Sequence, residues 1–217
     1  MYVPSHFSED RLPLQHALIR ERPFALLISS DSEGILANPL PFVLDAAASK
    51  LGTLVTHMAR GNEQWRRLHE SRDVLVVFRG DDAYVSPRWY PSTAETGRVA
   101  PTWNYVMVQA TGRPRVIHEK AWLRGQIEAL TRLKEGCTSG AWSPEMAPPD
   151  YHEAMLNGIV GVEIEIASIT GKWKASQNRS EKDRMGVVRG LEERGDATSA
   201  SMARIVSESM GQATNQG

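Results

Sequence analysis

The sequence predicts a mainly β, α+β fold, an antiparallel barrel decorated by a few helices, and three observations carry that expectation. Period-two alternation of apolar residues is clear over residues 104–117 (Val106, Val108, Ala110) and 159–169 (Val160, Val162, Ile164, Ile166), as half-buried strands require. A hairpin signal, Asp31-Ser32-Glu33-Gly34, separates two apolar runs near the start. Helical spacing is confined to a few segments, and neither an internal repeat nor a clean linker divides the 217 residues, a length suited to one well-buried core.

Taken in order, residues 8–20 predict a helix capped by Ser8, with Leu12, Leu18 and Ile19 on its apolar face and Pro13 in the first turn or before it. Residues 24–30 and 35–44 predict the hairpin strands. Pro39 and Pro41 each remove a backbone donor from the second, which therefore predicts an edge or bulged strand. Residues 51–56 predict a third strand, running into a short helix that carries Trp65 and Leu68. Residues 73–78 and 82–86 predict two strands around a turn at 79–82, and residues 87–101 a long loop. After the strand at 104–117, Trp122, Leu123, Ile127, Leu130 and Leu133 lie at helical spacing over 119–134, and residues 151–157 predict a short helix. The barrel domain is expected to span residues 1–190. Residues 191–217, rich in Ser, Thr, Ala, Gly and Gln, predict a tail that is a frayed helix or disordered.

Composition narrows the function classes. The formal net charge is −1, so global charge does not support a nucleic-acid partner, although a local basic patch leaves DNA open. One cysteine, Cys137, allows no intrachain disulfide. Residues 1–10 lack the apolar centre of a signal peptide, and no apolar run reaches the roughly 20 residues that span a bilayer, so a cytoplasmic location is expected. A GxxxxGK[ST] loop, a GxGxxG turn and a GxSxG elbow are all absent from the sequence, as is any Cys/His group with metal spacing.

Three segments are richer in polar and aromatic residues than packing requires. In the first, Thr56-His57-Met58-Ala59-Arg60-Gly61-Asn62 joins a strand end to a helix start. Backbone donors and a guanidinium fork there suit an anion, while the structural alternative is an Asn62 cap and a solvated Arg60. The second pairs Tyr84-Val85-Ser86-Pro87-Arg88-Trp89-Tyr90 with Pro101-Thr102-Trp103-Asn104-Tyr105. Its aromatics suit a planar ligand or plug a barrel end. The third, Gly171-Lys172-Trp173-Lys174-Ala175-Ser176-Gln177-Asn178-Arg179, opens a stretch to Gly190 with six basic and two acidic residues. It suits a phosphate, a nucleic-acid backbone or an acidic partner, or is a solvated basic loop.

Together with Met1-Tyr2-Val3-Pro4-x-His6-Phe7, these blocks occur in the order found in the PaiB-like family of FMN-binding negative transcriptional regulators, which the chain resembles over residues 1 to about 190. That family is similar to the FMN-binding split barrels, which include pyridoxamine-phosphate oxidases and small flavin reductases. The resemblance implies an antiparallel split barrel and a homodimer with FMN in two symmetric sites at the subunit interface. It also implies a phosphate site at Thr56, His57, Arg60 and Asn62. Lys174, or Arg113 of the partner subunit, is expected to help Arg60 at the phosphate; ring contacts follow from Pro41 and Phe42 on one side and Trp89, Trp103 or Trp173 on the other, and Asn104 is a further cofactor-binding candidate. The chain departs from the oxidases at Ala37-Asn38-Pro39-Leu40-Pro41-Phe42, where a basic pair is absent.

Three functions follow from this reading. One is an FMN-binding transcriptional regulator, working indirectly or through the basic segment 171–190. Another is a flavin-dependent oxidoreductase, for which the sequence offers no acid–base pair beyond His57. The third is a split-barrel interaction module without cofactor.

Overall fold

The computed structural model describes residues 1–136, 138 and 140–213; Cys137 lies outside the described residues. After a 3₁₀ turn at Ser5–Phe7, the elements run β1 (Ser8–Glu9), α1 (Leu12–Glu21), β2 (Phe24–Asp31), β3 (Gly34–Pro41), β4 (Val43–Asp45), β5 (Thr53–Ala59), α2 (Gln64–Arg67) and β6 (Val74–Val85). A 3₁₀ turn at Pro87–Trp89 leads to α3 (Ser92–Thr96), β7 (Thr102–Ile117) and α4 (Lys120–Glu135). A further one at Pro144–Met146 precedes α5 (Pro149–Asn157), β8 (Ile159–Lys174), α6 (Glu181–Arg194) and α7 (Ala197–Ala213). Eight strands form one sheet in the order β3-β2-β6-β7-β8-β5-β4, with β1 antiparallel to β8. The antiparallel, helix-decorated barrel expected from the sequence is the fold observed.

Several elements differ from expectation. Residues 73–86 form one strand, not two. Burial falls on the even positions 74, 76 and 78 and then on 83 and 85, so the polar stretch Arg79–Asp82 marks a slip of phase within a continuous strand. Ser8 lies in β1, paired with Lys172, and the helix begins four residues later. The last strand continues to Lys174, which takes Lys172 and Lys174 out of the expected loop. Residue 190 falls inside α6, and of the two alternatives for 191–217, a frayed helix or disorder, the described residues are largely helical, in the end of α6 and in α7. Met202, Ala203 and Val206 make one buried helical face there, enough apolar surface to order a segment whose composition looks loose.

The chain divides into two compact units, and β6, β7 and β8 each contribute to both. One comprises Leu12–Phe78 and Gln109–Ile169. Its core holds Leu27, Phe42, Leu54, Val76, Phe78, Val160, Val162 and Ile164. β2 and β3 pair in strict register from Phe24↔Pro41 to Asp31↔Gly34, which leaves β3 at the end of the strand order. Both prolines thus sit on an edge strand, where a missing donor costs no ladder bond. β3 and β4 lie at opposite ends of that order yet are separated in the chain only by Phe42. The buried Thr56 hydroxyl of β5 donates to the Pro41 carbonyl at 2.6 Å, a side-chain bond joining strands that share no ladder.

At the hairpin turn Arg67 pairs through both nitrogens with Asp31, which also accepts the Glu33 amide at 2.8 Å. Hydrogen bonding by the Arg67 guanidinium holds the Asp31 carboxyl at about 2. A carboxyl depressed in the folded state stabilises the fold at every pH above its unfolded value, and that support disappears as pH falls from about 4 to about 2. Urea midpoints of the wild type and Asp31→Asn are therefore expected to differ at pH 5 and to converge near pH 2. A constant difference across that range would assign the effect to packing.

The other unit comprises Met1–Arg11, Arg79–Val108 and Thr170–Gly217. Here α6 meets the 3₁₀ turn at Pro87–Trp89 across two glycines. A Cβ at Gly186 would lie 2.0 Å from the Trp89 carbonyl oxygen, and one at Gly190 would lie 2.3–2.4 Å from the Trp89 ring. Asp183 in the first turn of α6 accepts from the Ser92 amide at 3.1 Å and from its hydroxyl at 2.9 Å, which ties α6 to α3. Arg184, nearly buried, donates to Ser209 of α7 at 2.8 Å.

Candidate functional site

The segment 56–65 uses most of its donors within its own unit. Thr56 is fully buried and its proton goes to Pro41. Arg60 donates from Nε to the Asn157 carbonyl at 2.8 Å and from Nη2 to the Ile159 carbonyl at 3.0 Å, while its amide donates to Gly158 at 2.8 Å. A cation on the last carbonyl of α5 complements the helix dipole, and its second bond, to the first residue of β8, fixes the junction between them. Asn62 accepts the Gln64 amide at 3.0 Å, the role of a local cap. His57 Nδ1 meets Gln126 Oε1 at 2.6 Å. Gln126 is buried, and its Nε2 has no partner among the described residues. Gln126 escaped the sequence reading, although a polar residue within the apolar stripe Trp122, Leu123, Ile127 and Leu130 of α4 was its signal.

Of the two expected ring contacts on β3 and its flank, Phe42 is in the core, edge-on to Phe78 at 5.8 Å, and its amide donates to the Pro23 carbonyl. Pro41 lies on a different surface. Phe24, Leu26, Ile28 and Ser30 of β2 stand opposite Pro41, Pro39, Ala37 and Ile35 of β3, and Leu26 and Ile28 stand opposite Val77 and Leu75 of β6. Alternation places all of these on one face, the face turned away from the core. Phe24 is 68% and Ile35 75% exposed. Together they leave an exposed apolar surface on this unit.

In the other unit Trp103 is exposed and edge-on to Tyr84 at 5.9 Å, whereas Trp89 is occupied by the glycines of α6. Asn104 is buried and donates from Nδ2 to the Ser176 hydroxyl at 2.9 Å. Ser176 has φ of 62°, a left-handed conformation rare outside glycine, and the Asn104 bond holds it there. Gln177 fixes the same turn, accepting the Ala175 amide at 2.7 Å and donating to the Trp173 carbonyl at 2.6 Å.

Lys172 and Lys174 share a face of β8. Lys172 is 7% exposed; its Nζ donates to the Tyr2 carbonyl at 3.0 Å and lies 5.7 and 5.2 Å from the rings of Tyr2 and Tyr105. Lys174 donates to the Thr102 hydroxyl at 2.5 Å and to the Trp103 carbonyl. Arg179 stands over the buried ring of Tyr90 at 4.9 Å. Burial pushes the Lys174 ammonium below its ordinary value, and the charges of Lys172 and Arg179 push it the same way. Among the described residues, none of the three forms an ion pair with a carboxylate. In the sequence, Lys172 and Arg179 stood out only as members of a basic run suited to a phosphate, a nucleic-acid backbone or an acidic partner.

Known proteins match this chain in sequence and in fold. Residues 1–168 match the family described as "Putative FMN-binding domain". An uncharacterized protein of Emericella nidulans is 33% identical over 243 residues, covering 96% of this chain and 97% of its own. The protease synthase and sporulation protein PAI 2 of Bacillus subtilis is 28% identical over 210 residues, covering 97% of this chain and 98% of its own. Among solved structures, the flavocytochrome Anf3 from Azotobacter vinelandii superposes with a TM-score of 0.59 at 16% identity, over 85% of this chain and 78% of that one. The FAD and heme binding protein from Mycobacterium smegmatis gives 0.58 at 19% identity, over 80% and 76%. With an antiparallel barrel of this topology and a family match over three quarters of its length, the chain belongs to the PaiB-like FMN-binding domain family of split barrels, whose cofactor is FMN.

Proposed function

We propose that this protein is a dimeric FMN-binding regulator in which two copies meet through the apolar face of β2, β3 and β6. The observation that carries the reading is that face itself. Phe24, Leu26, Ile35, Pro39 and Pro41 offer a flat, rigid apolar surface that suits both a second copy and the edge of an isoalloxazine ring. The donor set also fits a phosphorylated flavin, since among the described residues Lys172, Lys174 and Arg179 meet carbonyls, a hydroxyl and rings rather than carboxylates. Lys174 and Arg179 would hold the anionic end, and Trp103 and Trp173 of the same unit would supply apolar contact to the ring. Bound FMN supplies electron-transfer chemistry. The chain's own part is to orient the flavin, shield it from water and couple its occupancy to the dimer surface.

The regulatory reading draws on the resemblance and on the near full-length match to the sporulation protein of Bacillus subtilis. It is an indirect role rather than a grip on DNA. Of the six basic residues in 171–190, Lys182 is paired with Glu95, Arg184 and Lys172 are nearly buried, and Lys174 is partly covered. That leaves Arg179 and Arg189 as the unpaired, accessible cations of the run among the described residues, a sparse set for a phosphate backbone.

Size-exclusion chromatography with in-line absorbance tests the reading. The wild type incubated with FMN is expected to elute as a dimer carrying the flavin bands. The Phe24→Glu, Ile35→Glu double variant is expected to elute as a monomer with most of its flavin lost. A wild type that retains no flavin at tens of micromolar, or elutes as a monomer, would overturn it.

A further inference from the structure

We propose that Asn157-Gly158, at the junction of α5 and β8, is a site of self-modification, the conversion of asparagine to aspartate and isoaspartate, and that Arg60 holds it in check. It uses none of the residues given to the flavin above.

The sequence supplies the reactive pair. The backbone nitrogen that follows an asparagine can attack the side-chain carbonyl, and a side chain on the following residue obstructs the approach. Of the six asparagines in the chain, Asn157 alone precedes a glycine, whereas Asn38 precedes a proline, which has no N–H. Asn157 is exposed, and its side-chain amide has no hydrogen-bond partner among the described residues. In the first step a bond forms between Gly158 N and Asn157 Cγ, and the Cγ–Nδ2 bond breaks. Nδ2 leaves as ammonia, taking up the proton of the Gly158 amide. Water then opens the resulting succinimide ring at either carbonyl, which gives aspartate or isoaspartate without any oxidant or cofactor.

The structure supplies the brake. Arg60 takes three successive carbonyls: its Nε donates to Asn157 at 2.8 Å, its amide to Gly158 at 2.8 Å and its Nη2 to Ile159 at 3.0 Å. The attacking nitrogen is engaged as well, because the Gly158 N–H is shared between the carbonyls of Ala154 at 3.1 Å and Met155 at 3.0 Å. With that nitrogen tied back into α5 and the carbonyls on both sides of it clamped, the backbone cannot turn to bring Gly158 N against Cγ. Reaction therefore waits for the junction to open, and its rate follows the free energy of that opening. Arg60 stands directly after β5, whose last residue, Ala59, pairs with Ile159, so the clamp closes one end of the β5–β8 ladder.

Conversion changes the junction for good. Isoaspartate adds a methylene to the main chain and puts the three carbonyls out of step with Arg60. Aspartate places a carboxylate at the C-terminal end of α5, where the helix dipole disfavours it. Either product loosens the start of β8.

Peptide mapping of protein aged at mildly alkaline pH, with isoaspartate counted by enzymatic carboxyl methylation, follows each asparagine separately. In the urea-unfolded chain Asn157 is expected to convert faster than any other asparagine, and Gly158→Ala is expected to suppress it there, where packing plays no part. In the folded wild type the same residue is expected to be slowed by about 10-fold or more. Arg60→Gln, shown to be folded by far-ultraviolet circular dichroism, is expected to convert about 10- to 100-fold faster than the folded wild type, the effect of losing a charge-assisted hydrogen bond. Should that variant not fold, Arg60→Lys takes its place, since it keeps the charge but lacks the fork that spans two carbonyls. Conversion led by another asparagine in the unfolded chain would overturn the site. A folded wild type as fast as the unfolded chain would overturn the brake, as would a folded Arg60 variant no faster than the wild type.

Discussion

Gly186→Ala is expected to lower the melting temperature by roughly 6–12 °C, the equivalent of about 3 kcal/mol in a chain of this size. The intrinsic effect has the opposite sign, since alanine in a helix interior is favoured over glycine by about 1 kcal/mol. The clash decides. A methyl group at 186 would stand 2.0 Å from the Trp89 carbonyl oxygen and 3.1 Å from the Pro91 ring, and neither backbone nor proline can swing away. α6 would have to lift from the 3₁₀ turn, straining the Asp183 bonds to Ser92. Gly125→Ala in α4, where nothing lies within 4 Å, supplies the control and is expected to raise stability by about 1 kcal/mol. Differential scanning calorimetry of the two variants gives shifts of opposite sign if close packing is the cause. Shifts of the same sign would refute it.

Gly112→Ala is expected to be at least as damaging, at about 3 kcal/mol or more. Its Cβ would fall 2.0 Å from the Glu165 carbonyl oxygen and 2.9 Å from the Ile164 side chain. Glu165 and Ile164 are themselves paired with Thr53 and Leu54 of β5, so β8 has strand partners on both sides and cannot retreat. Glycine inside a strand otherwise weakens it, which leaves close backbone approach as the reason for its presence. Urea unfolding at neutral pH reads the loss directly. A midpoint equal to the wild type would mean that the sheet relaxes locally at no cost.

How much of this was legible in the sequence depended on whether a signal was local. Alternation in residues 104–117 and 159–169 and the turn at 31–34 are properties of neighbours, and those strands are where they were expected. The edge position of β3 was also readable, because proline has no donor wherever it stands. Arg79–Asp82 misled, since a slip of burial phase inside a strand and a turn use the same polar residues. The end of β8 was obscured by its lysines, whose burial follows from Tyr2 and Tyr105, more than sixty residues away in sequence. α7 was hidden by its small residues, which read as looseness and act as close packing on α6. For the site, residue types were legible but bonding was not. Nothing near Arg60 announces Asn157, and nothing near His57 announces Gln126.

The two prolines of β3 bear on how this protein can multiply. An exposed edge strand invites another strand to extend the ladder, copy after copy, without limit. Along β3 the outward-facing positions are 35, 37, 39 and 41, and at the last two no N–H exists to recruit a neighbour. The adjoining apolar face remains open for association while the rim beside it does not propagate. Along β3, growth in the hydrogen-bonding direction is stopped at those two positions, and the face-to-face pairing proposed above would close after a finite number of subunits. On that proposal, the prolines would confine the association of this face to bounded assemblies.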